Sequence, residues 1–129
     1  SGDGMGLFEV GFCYYRGNGI KKDMQEAVHY LSQAALKKNG PAMATLGIIY
    51  FQGDGVSQDY KLAYKLFYDA ANLCGIMGFI AYKYLGACYE FGLGTEQDID
   101  KAIYWYEKDA ELGLHQDIIE HLKDLKQER

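Results

Sequence analysis

Three Gly-x-Gly loops are the segments of this sequence whose spacing could support chemistry, and they lie at residues 17–19, 53–55 and 92–94. Such loops bind phosphate when they follow a β-strand and carry a third glycine that opens a helix. Here a helical pattern precedes each loop, and Lys22, Gln58 and Gln97 occupy the third position. We therefore predict structural turns, and we expect no nucleotide or other cofactor.

The histidines and acidic residues offer little for catalysis or metal binding. His29, His115 and His121 do not cluster with cysteines at the spacing of a zinc site, which needs four ligands. Asp117 and His121 are four residues apart, so we expect a surface pair along one helix. The pattern assembles no nucleophile, base and orienting group. We predict that the protein binds no metal and is not an enzyme.

The composition predicts one globular domain. The chain has 129 residues, of which 49% are hydrophobic and 24% are charged. A net charge of −5 argues against a nucleic-acid-binding protein, which needs basic clusters. No apolar stretch approaches the roughly 20 residues of a membrane span. Residues 1–4 suggest an expression scar or a flexible lead-in, so the sequence leaves the compartment open.

An internal repeat organises most of the chain. Seven columns of residues recur first after 36 and then after 39 positions. The columns are Gly11, Gly47, Gly86; Tyr14, Tyr50, Tyr89; Gly17, Gly53, Gly92; Gly19, Gly55, Gly94; Asp23, Asp59, Asp98; Ala27, Ala63, Ala102; and Ala35, Ala71, Ala110. Columns in one register define three equivalent units. Three extra residues precede the third unit near residues 75–78, where we expect a loop.

Each unit has the pattern of two helices, an A helix and a B helix. In the second unit Ala42, Leu46 and Tyr50 recur at the spacing of one helical face. The first glycine of each loop suits a left-handed helix C-cap, and the aspartate after each loop suits an N-cap. We predict an all-α fold with repeats at residues 5–39, 40–75 and 76–114, closed by an amphipathic capping helix at 115–129.

This register resembles the Sel-one-like repeat family, a relative of the tetratricopeptide repeats, over about residues 6–113. The second unit carries the family pattern at Ala42, Leu46, Gly47, Tyr50, Gly53, Gly55, Val56, Asp59, Ala63, Ala70 and Ala71. The sequence departs from the pattern at Gly6 and at Asp109, where the family has alanine. The resemblance implies a right-handed α/α superhelix that serves as a protein-binding scaffold, with the A helices lining its concave face.

The three cysteines are predicted to be reduced. Cys13 and Cys88 occupy the same column two repeats apart. We expect the distance between their Cα atoms to exceed the ~7 Å that a disulfide can span. Spacing alone leaves a Cys74–Cys88 pair open. The cysteine-rich secreted branch of the resembled family has paired cysteines at positions where this sequence has Ala35, Ala71 and Ala110. The resemblance therefore implies free thiols, which favour the cytoplasm.

The side of each A helix opposite the buried stripe is rich in aromatic residues. In the second unit this side includes Ala44, Thr45 and Ile48. A helix face turned to water should be polar, so an aromatic face predicts a partner. The candidate partner-binding residues are Phe12, Tyr15, Arg16, Ile48, Phe51, Gln52, Tyr84, Ala87, Glu90 and Phe91, with Arg16, Lys83 and Glu90 at the rim. We expect Phe8 to pack between adjacent repeats instead.

Two functional hypotheses follow from these patterns. The first is a non-enzymatic scaffold or adaptor that binds an extended peptide or a partner helix on the aromatic concave face. The alternative is a regulatory or assembly module of a longer repeat or multidomain protein, which binds through its repeat ends and could self-associate there. Both predict a protein or peptide partner, and neither predicts nucleic acid or a membrane.

Overall fold

A computed structural model describes residues 3–73 and 75–128, and every regular element among them is helical. The α-helices of these residues are α1 Asp3–Arg16, α2 Met24–Leu36, α3 Gly40–Gln52, α4 Tyr60–Leu73, α5 Tyr82–Phe91, α6 Ile99–Leu112 and α7 Gln116–Glu128. Helices α1 and α2, α3 and α4, and α5 and α6 form three pairs, and α7 packs on α6. The prediction of an all-α repeat fold with a C-terminal helix is confirmed.

The Gly-x-Gly loops are tight turns that join each A helix to its B helix. Both glycines of every loop have a left-handed backbone, with φ between 69° and 76°. The N–H group of Asp59 donates to the carbonyl of Tyr50 at 2.9 Å, and the other two loops contain the same bond. The carboxylate of Asp59 accepts from the N–H of Leu62 and so caps α4. Asp23 and Asp98 cap α2 and α6 in the same way.

The residue at the third position of the loop fastens the turn in two of the units. The side-chain amide of Gln58 donates to the carbonyl of Phe51 at 2.8 Å. The amide of Gln97 donates to the carbonyl of Glu90 at 2.8 Å. Glutamine therefore closes these loops onto the end of the preceding helix, where a phosphate loop would have glycine.

Within each pair, the A helix approaches the B helix at a glycine. A Cβ atom on Gly47 would lie 2.7 Å from the ring of Phe67, which is fully buried. The equivalent contacts are Gly11 on Leu31 and Gly86 on Tyr106. Because glycine has no side chain, the large B-helix residue can occupy the space beside it.

Helix α3 is buried on most of its sides. It packs against α2 of the first pair, α4 of its own pair and the segment that follows α4. Ala44 and Thr45, which the sequence places on the open side, are only 0% and 4% exposed. That expectation is wrong because the neighbouring pairs cover a middle helix on more than one side. The residue pattern of α3 alone does not show which of its sides are covered.

The extra residues of the third unit do not form the predicted loop. They belong to a 3₁₀ helix, Gly75–Ala81, that packs on α4 and precedes α5. Gly78 in this segment is buried, and a Cβ atom there would collide with the carbonyl of Ala70. The insertion is therefore part of the packed interface between the second and third pairs.

Replacing Gly47 with alanine is expected to lower the free energy of unfolding by about 1–3 kcal/mol, because the new Cβ atom overlaps the ring of Phe67. The matched change Gly6→Ala in α1 meets none of the described residues within 4 Å. It should raise the free energy of unfolding by up to ~1 kcal/mol, since alanine favours helix. Urea unfolding followed by circular dichroism measures both, and equal effects would contradict the glycine contact.

Candidate partner-binding face

The aromatic face comprises the ten residues that the sequence singles out on α1, α3 and α5. The structure leaves nine of them at least partly exposed and buries Glu90. Those nine are Phe12, Tyr15, Arg16, Ile48, Phe51, Gln52, Tyr84, Ala87 and Phe91. They differ in what they touch, and the contacts separate residues that hold the repeats together from residues that face solvent.

The first part of the aromatic face is a row of rings on α1. The ring centroids of Phe8 and Phe12 are 5.4 Å apart, and those of Phe12 and Tyr15 are 5.9 Å apart. Phe8 and Tyr15 pack against the core of the first two repeats, as expected for Phe8. The guanidinium of Arg16, which is exposed, lies 5.8 Å from the centre of the Phe12 ring. Phe12 therefore presents an apolar surface with a cation beside it.

The second part, around Phe51, is mainly packing. Phe51 contacts the rings of Tyr60, Phe67 and Tyr84 edge-on, with centroid distances between 5.2 and 5.9 Å. Tyr84 stacks on Phe67 with centroids 5.1 Å apart. Because these rings come from α3, α4 and α5, Phe51 joins the second and third repeats. Its principal contacts are those of an inter-repeat core residue, which the sequence assigned to binding.

Tyr84 is a partly exposed residue of α5. Burial raises the pKa of its hydroxyl, and the neighbouring hydroxyl of Tyr15 raises it further. The ammonium of Lys83 lies 5.5 Å from the centre of the Tyr84 ring. Tyr84 therefore remains a neutral phenol at physiological pH, beside a cation that a partner could reach.

The remaining residues of the aromatic face form its open part. Ile48 and Ala87 share the column of Phe12 and are partly exposed, and one side of Ile48 packs against the core. Gln52 is exposed, and Phe91 has 62% of its surface exposed. A phenylalanine with this exposure leaves a large apolar surface in water, which a partner could cover.

Glu90 is a buried residue, and the prediction of an exposed carboxylate at the rim is wrong. It is 7% exposed and accepts a hydrogen bond from the hydroxyl of Tyr106 at 2.8 Å. The Nε2 atom of His121 lies 2.8 Å from the same carboxylate. The expected surface pair of Asp117 and His121 is therefore replaced by a bond from α7 to α5. Burial and the bond to Glu90 both raise the pKa of Tyr106, which keeps its proton as a donor.

A second buried carboxylate also binds the C-terminal segment. Asp109 is 0% exposed, and the Nδ1 atom of His115 lies 2.9 Å from it. Equivalent positions hold Ala34 and Ala70 in the other repeats. In the sequence Asp109 stands out only as a departure from the family pattern. Its coincidence with a histidine six residues later is the signal that could have identified the pair.

The described cysteines carry free thiols. Cys88 is fully buried, and burial raises the pKa of its thiol to about 12. Cys13 is partly exposed at the other end of the molecule. Cys74 lies outside the described residues, so its reduced state stays a prediction. Within the described residues, no three potential ligands come together for a metal ion, and no helix has the length and apolarity to cross a membrane.

Stacked helix pairs with a continuous surface along their A helices define the class of helical-repeat proteins. The Sel1 repeat family model matches residues 4–39, 40–73 and 80–114. The chain therefore belongs to the Sel1 repeat family. Proteins of this family generally act as protein-interaction scaffolds, and the fold is typically non-enzymatic.

Solved structures with the same fold include close relatives. A Sel1 repeat protein from Oxalobacter formigenes is 34% identical with a TM-score of 0.80, over 95% of this chain and 90% of that one. The protective antigen c5321 of uropathogenic Escherichia coli, which has an SLR fold, is 34% identical with a TM-score of 0.77, over 87% of this chain and 23% of that one. Helicobacter pylori cysteine-rich protein B shares the fold at 24% identity and a TM-score of 0.69, over 90% of this chain and 86% of that one. No curated protein matches the sequence.

Replacing His115 with alanine is expected to destabilise the protein by about 3 kcal/mol, because it leaves the buried carboxylate of Asp109 without its histidine. Asp109→Ala should cost less, since it restores the alanine that the other two repeats have at this position. Asp117→Ala, at an exposed position in the first turn of α7, should change stability by no more than about 1 kcal/mol. Urea unfolding ranks the three variants, and a larger loss for Asp109→Ala than for His115→Ala would contradict the assignment.

Alkylation should distinguish the three thiols, which fall in separate tryptic peptides. In the native protein Cys13 is expected to react and Cys88 to resist, because Cys88 is buried and its pKa is about 12. In denaturant without reductant, all three should react. Mass spectrometry of the peptides measures each site, and a Cys88 that reacts only after reduction would show a disulfide.

Proposed function

We propose that this protein is a non-enzymatic scaffold that binds a partner peptide or helix across the open part of the aromatic face. The proposal is supported by one arrangement above all, the row of partly exposed apolar side chains on successive A helices. The row consists of Phe12, Ile48 and Ala87, with Phe91 beyond it. Exposed aromatic residues of this kind are typical interface anchors.

The charges beside this row indicate which partners suit it. Arg16 lies against Phe12, and Lys83 lies against Tyr84. Glu90, the predicted anionic rim residue, is turned inward and bonded to His121. Two cations, Arg16 and Lys83, therefore lie beside the row although the whole chain has a net charge of −5. A partner segment with two apolar anchors and an adjacent carboxylate fits this pattern, since arginine can bind a carboxylate through two parallel hydrogen bonds.

The contacts of the aromatic face support different proposed roles for its residues. Phe51, Tyr15 and Tyr84 support the face from within, because each packs against the core. Phe12 and Phe91 are the proposed anchors, and Arg16 is the proposed carboxylate-binding residue. Gln52 lies exposed beside the anchors and offers an amide to the partner backbone.

The proposal is tested by selecting peptides from a random library against the folded protein. Selected sequences should carry two apolar residues and at least one aspartate or glutamate. Phe12→Ser and Phe91→Ser should each weaken binding of a selected peptide by about 10-fold or more, which is the scale of an interface anchor. Fluorescence anisotropy measures the affinity, and thermal unfolding establishes that both variants remain folded.

Matched controls separate binding from folding. Tyr104→Ser removes an aromatic side chain that is 53% exposed on the B helix α6, and it should leave peptide affinity unchanged. Phe51→Ser should instead lower the unfolding temperature, because Phe51 contacts three rings of the core. Selected peptides that bind the Phe12 and Phe91 variants as well as the wild type would place the binding site elsewhere.

A further inference from the structure

A second apolar surface lies at the N-terminal end of the solenoid, away from the aromatic face. It is a cleft of about 360 Å³ between α1 and its loop, here called the N-terminal cleft, lined by Glu9, Val10, Cys13, Asn18, Gly19 and Ile20. Val10 is 41% exposed and Ile20 is 40% exposed. Two exposed, β-branched apolar residues that line one cleft form an apolar surface that another chain could cover.

In the second and third repeats, a B helix covers the residues that correspond to Val10 and Cys13. Val10 corresponds to Leu46 and Leu85, which are 5% and 0% exposed. Cys13 corresponds to Ile49 and Cys88, which are both 0% exposed. Leu46 and Ile49 share a core cluster with residues of α2, the B helix of the preceding repeat, namely Ala27, Leu31 and Ala34. Leu85 and Cys88 share a cluster with the matching residues of α4.

The second glycine of the loop repeats this relationship at the backbone. A Cβ atom on Gly55 would lie 2.5 Å from the Cβ atom of Met24, at the start of α2. A Cβ atom on Gly94 would collide with the backbone of Tyr60, at the start of α4. A Cβ atom on Gly19 would meet nothing within 4 Å. Gly19 has the same left-handed backbone as Gly55 and Gly94. Among the described residues, however, no B helix packs against it.

We propose that the N-terminal cleft binds a partner helix with the pattern of a B helix of this family. That pattern is a large apolar residue, then alanine, a second large apolar residue and a second alanine, as in Met24, Ala27, Leu31, Ala34 and in Tyr60, Ala63, Phe67, Ala70. The bound helix continues the interface that joins the first repeat to the second. This inference goes beyond the proposed scaffold function, because it uses another surface and another kind of ligand.

Among the described residues, a second copy of this chain has no B helix free to fill the cleft. Within the chain, α2 is covered by α3, α4 by α5, and α6 by α7. The C-terminal end is closed by α7, which presents charged residues such as Lys123 and Asp124 to solvent. The carboxylates of Glu90 and Asp109, which bind the histidines of the cap, occupy columns that hold other residue types in the first two repeats. The C-terminal end is thus specialised for its cap, while the N-terminal cleft keeps the columns of an ordinary repeat interface.

The experiment joins an extra copy of residues 59–72 to the N-terminus of the full chain through a flexible Gly/Ser linker. This segment contains the N-cap residue Asp59 and all of α4 except Leu73. Tethering raises the local concentration of this helix to about the millimolar range, so even a weak site is occupied. Alkylation of Cys13, measured on its own tryptic peptide, should slow at least tenfold relative to the untethered chain. A matched fusion in which the extra segment carries Phe67→Asp should not slow it, because the central anchor of the helix is lost.

Variants of the cleft complete the test. Either Val10→Asp or Ile20→Asp in the host chain should restore fast alkylation in the fusion. Two variants are used so that the test still holds if one of them fails to fold. Leu114→Asp, at an exposed apolar residue outside the cleft, should leave the protection intact. Phe12→Ser with Phe91→Ser should also leave it intact, so failure of the aromatic face does not mask this result.

Three outcomes would overturn the proposal. Equal alkylation of Cys13 in the fused and unfused chains would show that the cleft does not take a B helix. Equal protection by the Phe67→Asp segment would show that the linker or any added chain shields the thiol. Protection of Cys13 in the unfused chain that rises with protein concentration, together with a dimer in sedimentation, would identify a second copy as the occupant.

Discussion

The contact between an A-helix glycine and a large B-helix residue is the constraint on which the rest of this structure depends. Gly47 against Phe67, and its equivalents in the other repeats, set the separation of the two helices in every pair. In the second and third repeats, the second loop glycine also meets the B helix of the repeat before it. Two missing side chains therefore shape each of these repeats: the A-helix glycine sets the distance within a pair, and the second loop glycine allows the pair to stack on the one before it.

The first and last described repeats differ in the chemistry of their outer interfaces. At the C-terminal end, Glu90 and Asp109 bind His121 and His115, which attaches α7 through buried polar contacts. Such bonds are directional and require a matching partner, so they favour one capping segment over a further repeat. In the first repeat the columns of Val10 and Cys13 remain apolar, which suits the apolar pattern of a B helix.

The aromatic face shows how one column of a repeat can serve packing in one place and polar attachment in another. Tyr15, Phe51 and Glu90 share a column, yet Phe51 lies among three rings and Glu90 lies inside a hydrogen-bond network. The open residues are those next to this column, such as Phe12 and Phe91. A solenoid can therefore keep its core intact while the exposed residues beside it vary, which suits a binding surface.

The sequence by itself determined the all-α fold, the three units, the turns and their caps. These are local features: a left-handed backbone needs glycine, an N-cap needs a short acceptor side chain, and both recur at a fixed period. The sequence also named the side of the A helices that carries the partly exposed aromatic residues, because helical periodicity places residues on faces.

Only the tertiary structure decided which of those residues are exposed. The burial of Thr45, the ring contacts of Phe51 and the bond between Glu90 and His121 all join residues from different helices. Repeat columns make such positions look equivalent, whereas their environment depends on what stacks on either side. The burial of a side chain is a sum over neighbours distant in sequence, so periodicity within one helix cannot specify it.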